Sequence, residues 1–147
     1  MTEVLFRDLS GMDEFRAAEG LQRAVWGEGD LPDPADLMMV IQAEGGLVGG
    51  AFVAGRLLGY VFGFPTRDPQ VQHSHRLAVL PEARGLGLGA ALIDAALEVL
   101  RDQPGVAEAY LGAQSHATEF YTKLGFAVEG EEFLDAGIPH RHMRRAL

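Results

Sequence analysis

The stretch HSHRLAVLPEARGLGLGAAL, residues 73–92, decides the fold of this chain. An apolar run with two histidines stops at Pro81, passes through a glycine-rich turn and continues as an alanine- and leucine-rich segment, which predicts a strand, a tight turn and a helix. Glycine lets the backbone approach a ligand closely, and the first N–H groups of a helix have no partner within it. The sequence therefore predicts that residues 84–90 bind a phosphate-bearing ligand.

Length and composition indicate one soluble domain spanning residues 1–147. Hydrophobic residues make up 48% of the chain and charged residues 22%, as is ordinary for a globular protein. No cysteine is present, which excludes thiolate catalysis and cysteine-based zinc sites and suits the cytoplasm. We expect no signal peptide and no membrane span. The net charge of −9 argues against binding to nucleic acid or anionic membranes.

Periodicity and turn residues predict a mixed α/β (α+β) domain with a mostly antiparallel sheet of six to seven strands and four flanking helices. Ser115 is predicted to cap the last helix, and Gly125 to end it. The strands are predicted at residues 4–9, 47–54, 57–64, 71–79, 106–111, 126–128 and from about 140, and the helices at 11–26, 35–44, 85–101 and 115–124.

Two motifs carry a resemblance to a known family. Arg84, Gly87 and Gly89 match the pattern Arg/Gln-x-x-Gly-x-Gly/Ala, and FYTKLGF, residues 120–126, follows after a helix and a short strand. With the predicted element order, these motifs resemble the GNAT superfamily of acyl-CoA-dependent N-acetyltransferases. The C-terminal half, with LGAQ before the tyrosine segment and GIPH near the end, resembles the ElaA-like branch.

The resemblance implies that acetyl-CoA is the co-substrate. It places the pyrophosphate on backbone N–H groups of residues 84–90 and the pantetheine arm beside residues 77–79, with a further contact from Gln114. The residues expected to bind the coenzyme are Leu77, Ala78, Val79, Arg84, Gly85, Leu86, Gly87, Leu88, Gly89, Ala90 and Gln114.

Two other interpretations of the glycine turn stay open. Gly85, Gly87 and Ala90 also fit the dinucleotide fingerprint, with Glu108 about 20 residues further on. A dinucleotide-binding domain would open with this unit, whereas here it stands past the middle of the chain. The other alternative is a turn that binds nothing.

Tyr121 is the general acid that the resemblance implies, since a phenol beside the thioester can protonate the leaving thiolate. The alternative is purely structural, because Ala117, Phe120, Tyr121 and Leu124 follow the spacing of a helix's core face. The backbone N–H of Val79 is expected to polarise the thioester carbonyl.

His73 and His75 are the expected general base. Strand alternation places them on one face with Leu77 and Val79, and the pair resembles the strand of arylalkylamine N-acetyltransferases. A bulge in this strand, which is common in the family that the chain resembles, would reorient them. Glu108 and His116 are alternative bases, and both strand histidines could instead be satisfied core residues. The second His-x-His pair, residues 140–142, lacks a third ligand, so we expect no metal.

The acceptor is expected near Trp26, because an aromatic ring beside carboxylates suits an ammonium or an aromatic amine. The sequence therefore predicts acetyl transfer from acetyl-CoA to a primary amine of a small molecule or peptide, by direct attack in a ternary complex. The alternative is an acyl-CoA-binding regulatory or interaction module without catalysis. The resemblance leaves a homodimer open, since small domains of this family often pair through C-terminal strands. The carboxylates expected near the acceptor amine are Glu28, Asp30, Asp33, Glu131, Glu132 and Asp135.

Overall fold

A seven-stranded sheet forms the centre of the protein. The computed structural model describes residues 3–29 and 31–147. The strands follow the spatial order β1-β2-β3-β4-β5-β7-β6. They are β1 (Leu5–Asp8), β2 (Leu47–Val53), β3 (Arg56–Pro65), β4 (Val71–Val79), β5 (Glu108–Gln114), β6 (Ala127–Asp135) and β7 (Ile138–Ala146), and the α-helices are α1 (Met12–Trp26), α2 (Ala35–Ala43), α3 (Leu88–Asp102) and α4 (Thr118–Lys123).

The predicted fold class is confirmed: neighbouring strands run antiparallel except β4 and β5, which are parallel. The last two strands are longer than predicted and form a hairpin. β6 lies at the edge of the sheet and is exposed along most of its length, so it lacks the apolar alternation that announces a half-buried strand.

The helices divide the protein into two layers. On one face, which we call the α1–α2 face, Phe15 and Met38 pack against Tyr60 and Phe62 of β3. On the opposite α3–α4 face, the apolar side of α3 packs against β2, β3 and β5. None of the helices within residues 3–29 and 31–147 has both the length and the apolarity to cross a membrane.

A bulge in β4 corrects one expectation. Gly63 of β3 pairs with Ser74 and Phe62 pairs with Arg76, so His75 is the extra residue. A Cβ on Gly63 would stand 2.9 Å from the carbonyl oxygen of His73, so glycine permits this close approach.

The bulge resets the alternation of side chains. The rings of His73 and His75 contact Phe64 on the α1–α2 face, whereas Leu77 and Val79 pack into the α3–α4 core. The expectation that all four share one face is therefore wrong, because strict alternation does not survive an inserted residue.

Two helix starts also differ from expectation. α3 begins at Leu88 because Gly85 and Gly87 adopt positive φ angles of 81° and 76°. Ser115 does not cap α4: it opens a 3₁₀ turn, and its hydroxyl donates to Glu132 Oε2 at 2.8 Å. Gly125, at a φ of 91°, ends α4 as predicted.

Candidate coenzyme and acceptor site

The turn between β4 and α3 presents unbonded backbone N–H groups. Gly87 occupies the N-cap in the left-handed region, and no side chain caps the helix. The first N–H to donate within α3 is that of Ala91, to Gly87 O at 3.1 Å, so the preceding N–H groups of the helix point out of its end. A Cβ on Gly85 or Gly87 would meet no described atom within 4 Å, so the turn is open above its backbone. This geometry suits an anion.

An opening between β4 and β5 adjoins this turn. The ladder between the two strands ends at Ser74 and Leu111, whereas β4 continues to Val79 and β5 to Gln114. Leu80 N–H donates to Leu58 O of β3 at 2.8 Å, so by alternation the N–H of Val79 points away from β3, into the opening. An extended ligand arm can add to such a strand edge.

Tyr121 lies beside the α3–α4 core, with its ring centroid 5.0 Å from that of Phe120 and 5.8 Å from that of Phe126. Burial raises the pKa of Tyr121 to about 12, so the phenol is protonated at neutral pH. Among the described residues, no group hydrogen-bonds its hydroxyl. The ring of Tyr121 therefore packs as helical spacing predicts, and its hydroxyl group still carries a proton that it can donate.

Gln114 ends β5 at the mouth of this opening. His116 Nε2 donates to Gln114 Oε1 at 2.5 Å. The pairing fixes the amide and leaves its NH₂ group to donate to a ligand. His116, an alternative base in the sequence, is thereby held on the opposite edge of the opening from β4.

His73 is partly buried between Phe64, at 5.2 Å between ring centroids, and Tyr110, at 5.1 Å with the two rings nearly perpendicular. Burial, together with the neighbouring His75 and His142, lowers the pKa of His73 below its ordinary value near 6.5. The ring is therefore neutral at physiological pH, as a proton acceptor must be.

His75 and Arg76 contact the loop that joins α1 and α2. His75 Nε2 lies 3.4 Å and Arg76 Nε 3.0 Å from Asp33 Oδ2, and the guanidinium carbon of Arg76 lies 4.8 Å from the ring centre of Trp26. Burial alone would raise the pKa of Asp33, but the hydrogen bond from His75 and the charges of His75 and Arg76 lower it. Asp33 is thus paired with Arg76, a cation of its own chain. Asp30 lies outside the described residues.

Replacing Asp33 by Asn should loosen this loop from β4. The pair with Arg76 is more than three-quarters buried, so its loss should cost about 1–2 kcal/mol. For a domain of this size, the melting temperature should fall by about 2–8 °C. Circular dichroism melts measure the change, with Asp36→Asn as control because Asp36 is exposed on α2. Equal shifts in the two variants would show that the Asp33 pair is not what holds the loop.

The structure also brings together residues that were absent from the expected site. Tyr110, His142 and Phe133 lie beside His73 through successive ring contacts. Glu108, an alternative base in the sequence, instead pairs with Arg144 at 2.9 Å. Within residues 3–29 and 31–147, no cluster of three or more His, Cys, Asp or Glu side chains could hold a metal ion.

These features identify the family. The sequence model described as "Acetyltransferase (GNAT) domain" matches residues 21–147. The chain therefore belongs to the GNAT acetyltransferases. The dinucleotide interpretation fails, because the glycine turn follows the fourth strand of a mostly antiparallel sheet rather than the first strand of a parallel one.

Individual relatives agree with this assignment. YjcF of Bacillus subtilis, described as an uncharacterized N-acetyltransferase, is 44% identical over 71 residues, covering 48% of this chain and 50% of that protein. The chain thus matches only about half the length of its curated relatives. An aminoglycoside 6′-N-acetyltransferase complexed with coenzyme A superimposes with a TM-score of 0.82 at 17% identity, covering 97% of this chain and 96% of the other. ElaA of Escherichia coli gives 0.76 at 23% identity, covering 99% of each chain. Both superpositions show a shared fold, and the ElaA-like branch stays a prediction.

Proposed function

We propose that this protein transfers an acetyl group from acetyl-CoA to a primary amine of a small molecule or peptide, in the cytoplasm. One observation carries the proposal: the turn, the strand opening and the tyrosine helix adjoin one another. A Cβ on Gly89, in the first turn of α3, would lie 3.5 Å from the Phe120 ring and 3.9 Å from Leu77. Phe120 therefore lies against the start of α3 and near β4, and its ring centroid is 5.0 Å from that of Tyr121. The bound coenzyme in the aminoglycoside acetyltransferase supports the same co-substrate here.

The chain's own residues account for each requirement of the reaction. The N–H of Arg84 donates to Pro81 O at 3.3 Å, so the backbone N–H groups left for the pyrophosphate lie within residues 85–90. Residues 77–79 and Gln114 hold the arm, and Val79 N–H donates to the thioester oxygen. The amine forms the new C–N bond as the C–S bond breaks. His73 or His75 accepts the proton from the amine, and Tyr121 donates one to sulfur.

The bulge in β4 supports direct attack. It places the histidines on the α1–α2 face, whereas Tyr121 belongs to the α3–α4 side. The amine can then attack the thioester carbon from the histidine side of the sheet. The thiolate leaves the same carbon towards the tyrosine side, where it is protonated. Since the chain has no cysteine, no acetyl-cysteine intermediate can form.

Acetyl-CoA incubated with a panel of primary amines tests the proposal. Thiol release measured with a colorimetric reagent reports only coenzyme A, because the protein contributes no thiol. Mass spectrometry then identifies the acetylated amine. Coenzyme binding without release for every amine would favour the alternative, an acyl-CoA-binding module without catalysis.

A pH profile tests the base. If His73 accepts the proton, kcat/KM should hold a plateau at neutral pH and fall as the pH drops through the lowered pKa of His73, below 6.5. His73→Asn should lower kcat/KM by about 10²-fold or more and remove that acidic limb. His75→Asn is measured in parallel. If the acidic limb persists in both variants, neither histidine is the base.

A further inference from the structure

A groove lies between α3 and the β1–β2 edge of the sheet, on the α3–α4 face. Phe6, Gly49 and Val61 line its floor, and the side of α3 that carries Leu92 and Val99 forms its wall. Its volume of about 360 Å³ is within the range of small-molecule sites. α1 and α2 pack on the opposite face and α4 packs on β6 and β7, so no second helix within residues 3–29 and 31–147 covers the groove.

Gly49 keeps the groove deep. A Cβ at this position would make ordinary contacts, 3.5 Å from Val61 Cγ1 and 3.9 Å from Arg7 O, and Gly49 does not have a positive φ. The backbone therefore accepts a larger residue here, and its side chain would fill the groove. Around the glycine, Phe6 is only partly buried and Val99 is 38% exposed. The groove thus offers a hydrocarbon surface that a ligand can cover.

Three carboxylates in the groove have no cation partner. The part of the chain that the structure describes has no ion pair or side-chain hydrogen bond to these exposed groups, which belong to Asp8, Glu98 and Asp102. Arg7 also lines the groove, but its guanidinium faces α1, where its two terminal nitrogens each lie 2.7 Å from a carboxylate oxygen of Glu14. The groove therefore carries an uncompensated negative charge.

The charges on α3 are placed unfavourably for a protein without a ligand there. Glu98 and Asp102 are four residues apart, so two like charges lie on one side of the helix, near its negative C-terminal end. In α1 the same spacing joins opposite charges, with Arg23 2.9 Å from Glu19. Arg101, in the last turn of α3, pairs with neither carboxylate among the described residues. A cation bound in the groove would relieve this repulsion.

We propose that the groove is a second binding site and that it takes a cationic amphiphile, an organic ammonium that carries a hydrocarbon chain. The chain lies on the apolar floor beside Gly49, and the ammonium lies at the three carboxylates. The glycine turn precedes α3 and the strand opening lies between β4 and β5, whereas the groove contacts β1, β2 and β3. Both sites can therefore be occupied together, and the inference does not depend on the acetyl-transfer proposal.

Hexyltrimethylammonium is a suitable probe, because its quaternary nitrogen has no N–H and cannot be acetylated. Its binding is followed by NMR titration of the isotope-labelled protein. The largest amide shifts should be at Phe6, Gly49 and Ala95, and they should saturate. Tetramethylammonium, which lacks the chain, and hexanesulfonate, which has the opposite charge, should bind at least about tenfold more weakly. Equal binding of hexanesulfonate, shifts confined to residues 85–90, or no saturable shift would overturn the inference.

Matched variants test the two parts of the site separately. Glu98→Gln combined with Asp102→Asn should weaken binding by about tenfold. The control, Asp36→Asn combined with Glu44→Gln, removes two exposed charges at α2 on the opposite face and should bind as the wild type does. Equal binding by the two double variants would overturn the role of the carboxylates and with it the inference.

Gly49→Leu should abolish binding, because its side chain fills the floor. If this variant folds and binds as the wild type does, the probe does not occupy the groove. Sedimentation that shows a dimer dissociated by Gly49→Glu would also overturn the inference, because a second copy of the chain would then occupy the groove.

Discussion

Tyr121→Phe is expected to lower kcat by about 10²- to 10⁴-fold, the usual contribution of a general acid. The variant keeps the ring that packs against Phe120 and Phe126 and loses only the hydroxyl. Coenzyme affinity and the KM for the amine should stay within about twofold of wild type, because the phenol acts on the leaving sulfur only as the C–S bond breaks. Steady-state kinetics and calorimetry with coenzyme A provide the two measurements.

Tyr60→Phe is the matched control, because it removes the hydroxyl of a fully buried tyrosine in the α1–α2 core. It should change the melting temperature and leave kcat near the wild-type value. The pH dependence gives a second criterion. Since the pKa of Tyr121 is raised to about 12, kcat should show no loss of the acid form between about pH 7 and 10. A Tyr121→Phe variant with wild-type kcat would remove this residue from the chemistry.

The parts of the site that the sequence predicted are contiguous in the chain. The turn at residues 84–90 and the segment 120–126 each derive their structure from neighbouring residues, through glycine at positive φ and through helical spacing. Local patterns of this kind can be recognised without knowing which strands pair. The order of the elements can be predicted for the same reason. Among the strands, the exposed edge strand β6 is the one whose length the sequence pattern underestimates most.

The features that the sequence could not specify depend on pairing between distant segments. The bulge that turns His73 and His75 away from Leu77 arises from the register between β3 and β4, where Gly63 admits the His73 carbonyl. The pattern of β4 alone could not show it. The stack of Tyr110, His142 and Phe133 likewise requires the register of β5 with β7 and of β7 with β6, which brings Tyr110 beside His142 and His142 beside Phe133.

The acidic loop that follows Trp26 also depends on a contact with a distant segment, in this case a contact between charges. As a sequence, Trp26 followed by carboxylates resembles a site for a cationic amine. In the fold, Arg76 lies over one face of the indole and pairs with Asp33. A contact from Trp26 to the acceptor stays a prediction. Steady-state KM values of Trp26→Leu for several amines would test it, with the KM for acetyl-CoA as the internal reference.

Gly87→Glu is expected to abolish stabilisation by the coenzyme. A ligand at 100 times its Kd stabilises a protein by about 2.7 kcal/mol, which corresponds to roughly 5–10 °C in melting temperature here. The substituted carboxylate would project from the N-cap of α3 into the open space above the turn, where the pyrophosphate is proposed to bind. Charge repulsion and lost access should reduce the coenzyme-induced shift to near zero, as measured by thermal melts with and without coenzyme A.

Gly105→Glu is the matched control, because it introduces the same residue at a glycine far from the proposed pyrophosphate site. Gly105 follows α3 at the opposite end of the helix and has a φ of 81° against 76° at Gly87, and a Cβ there would likewise meet no described atom within 4 Å. Both variants therefore carry the same charge and a similar backbone strain, about 1 kcal/mol, and both should melt below the wild type without ligand. Only Gly87→Glu should lose the coenzyme shift. If both variants keep it, the pyrophosphate does not bind at residues 84–90, and the strand opening, rather than the glycine turn, must supply the affinity.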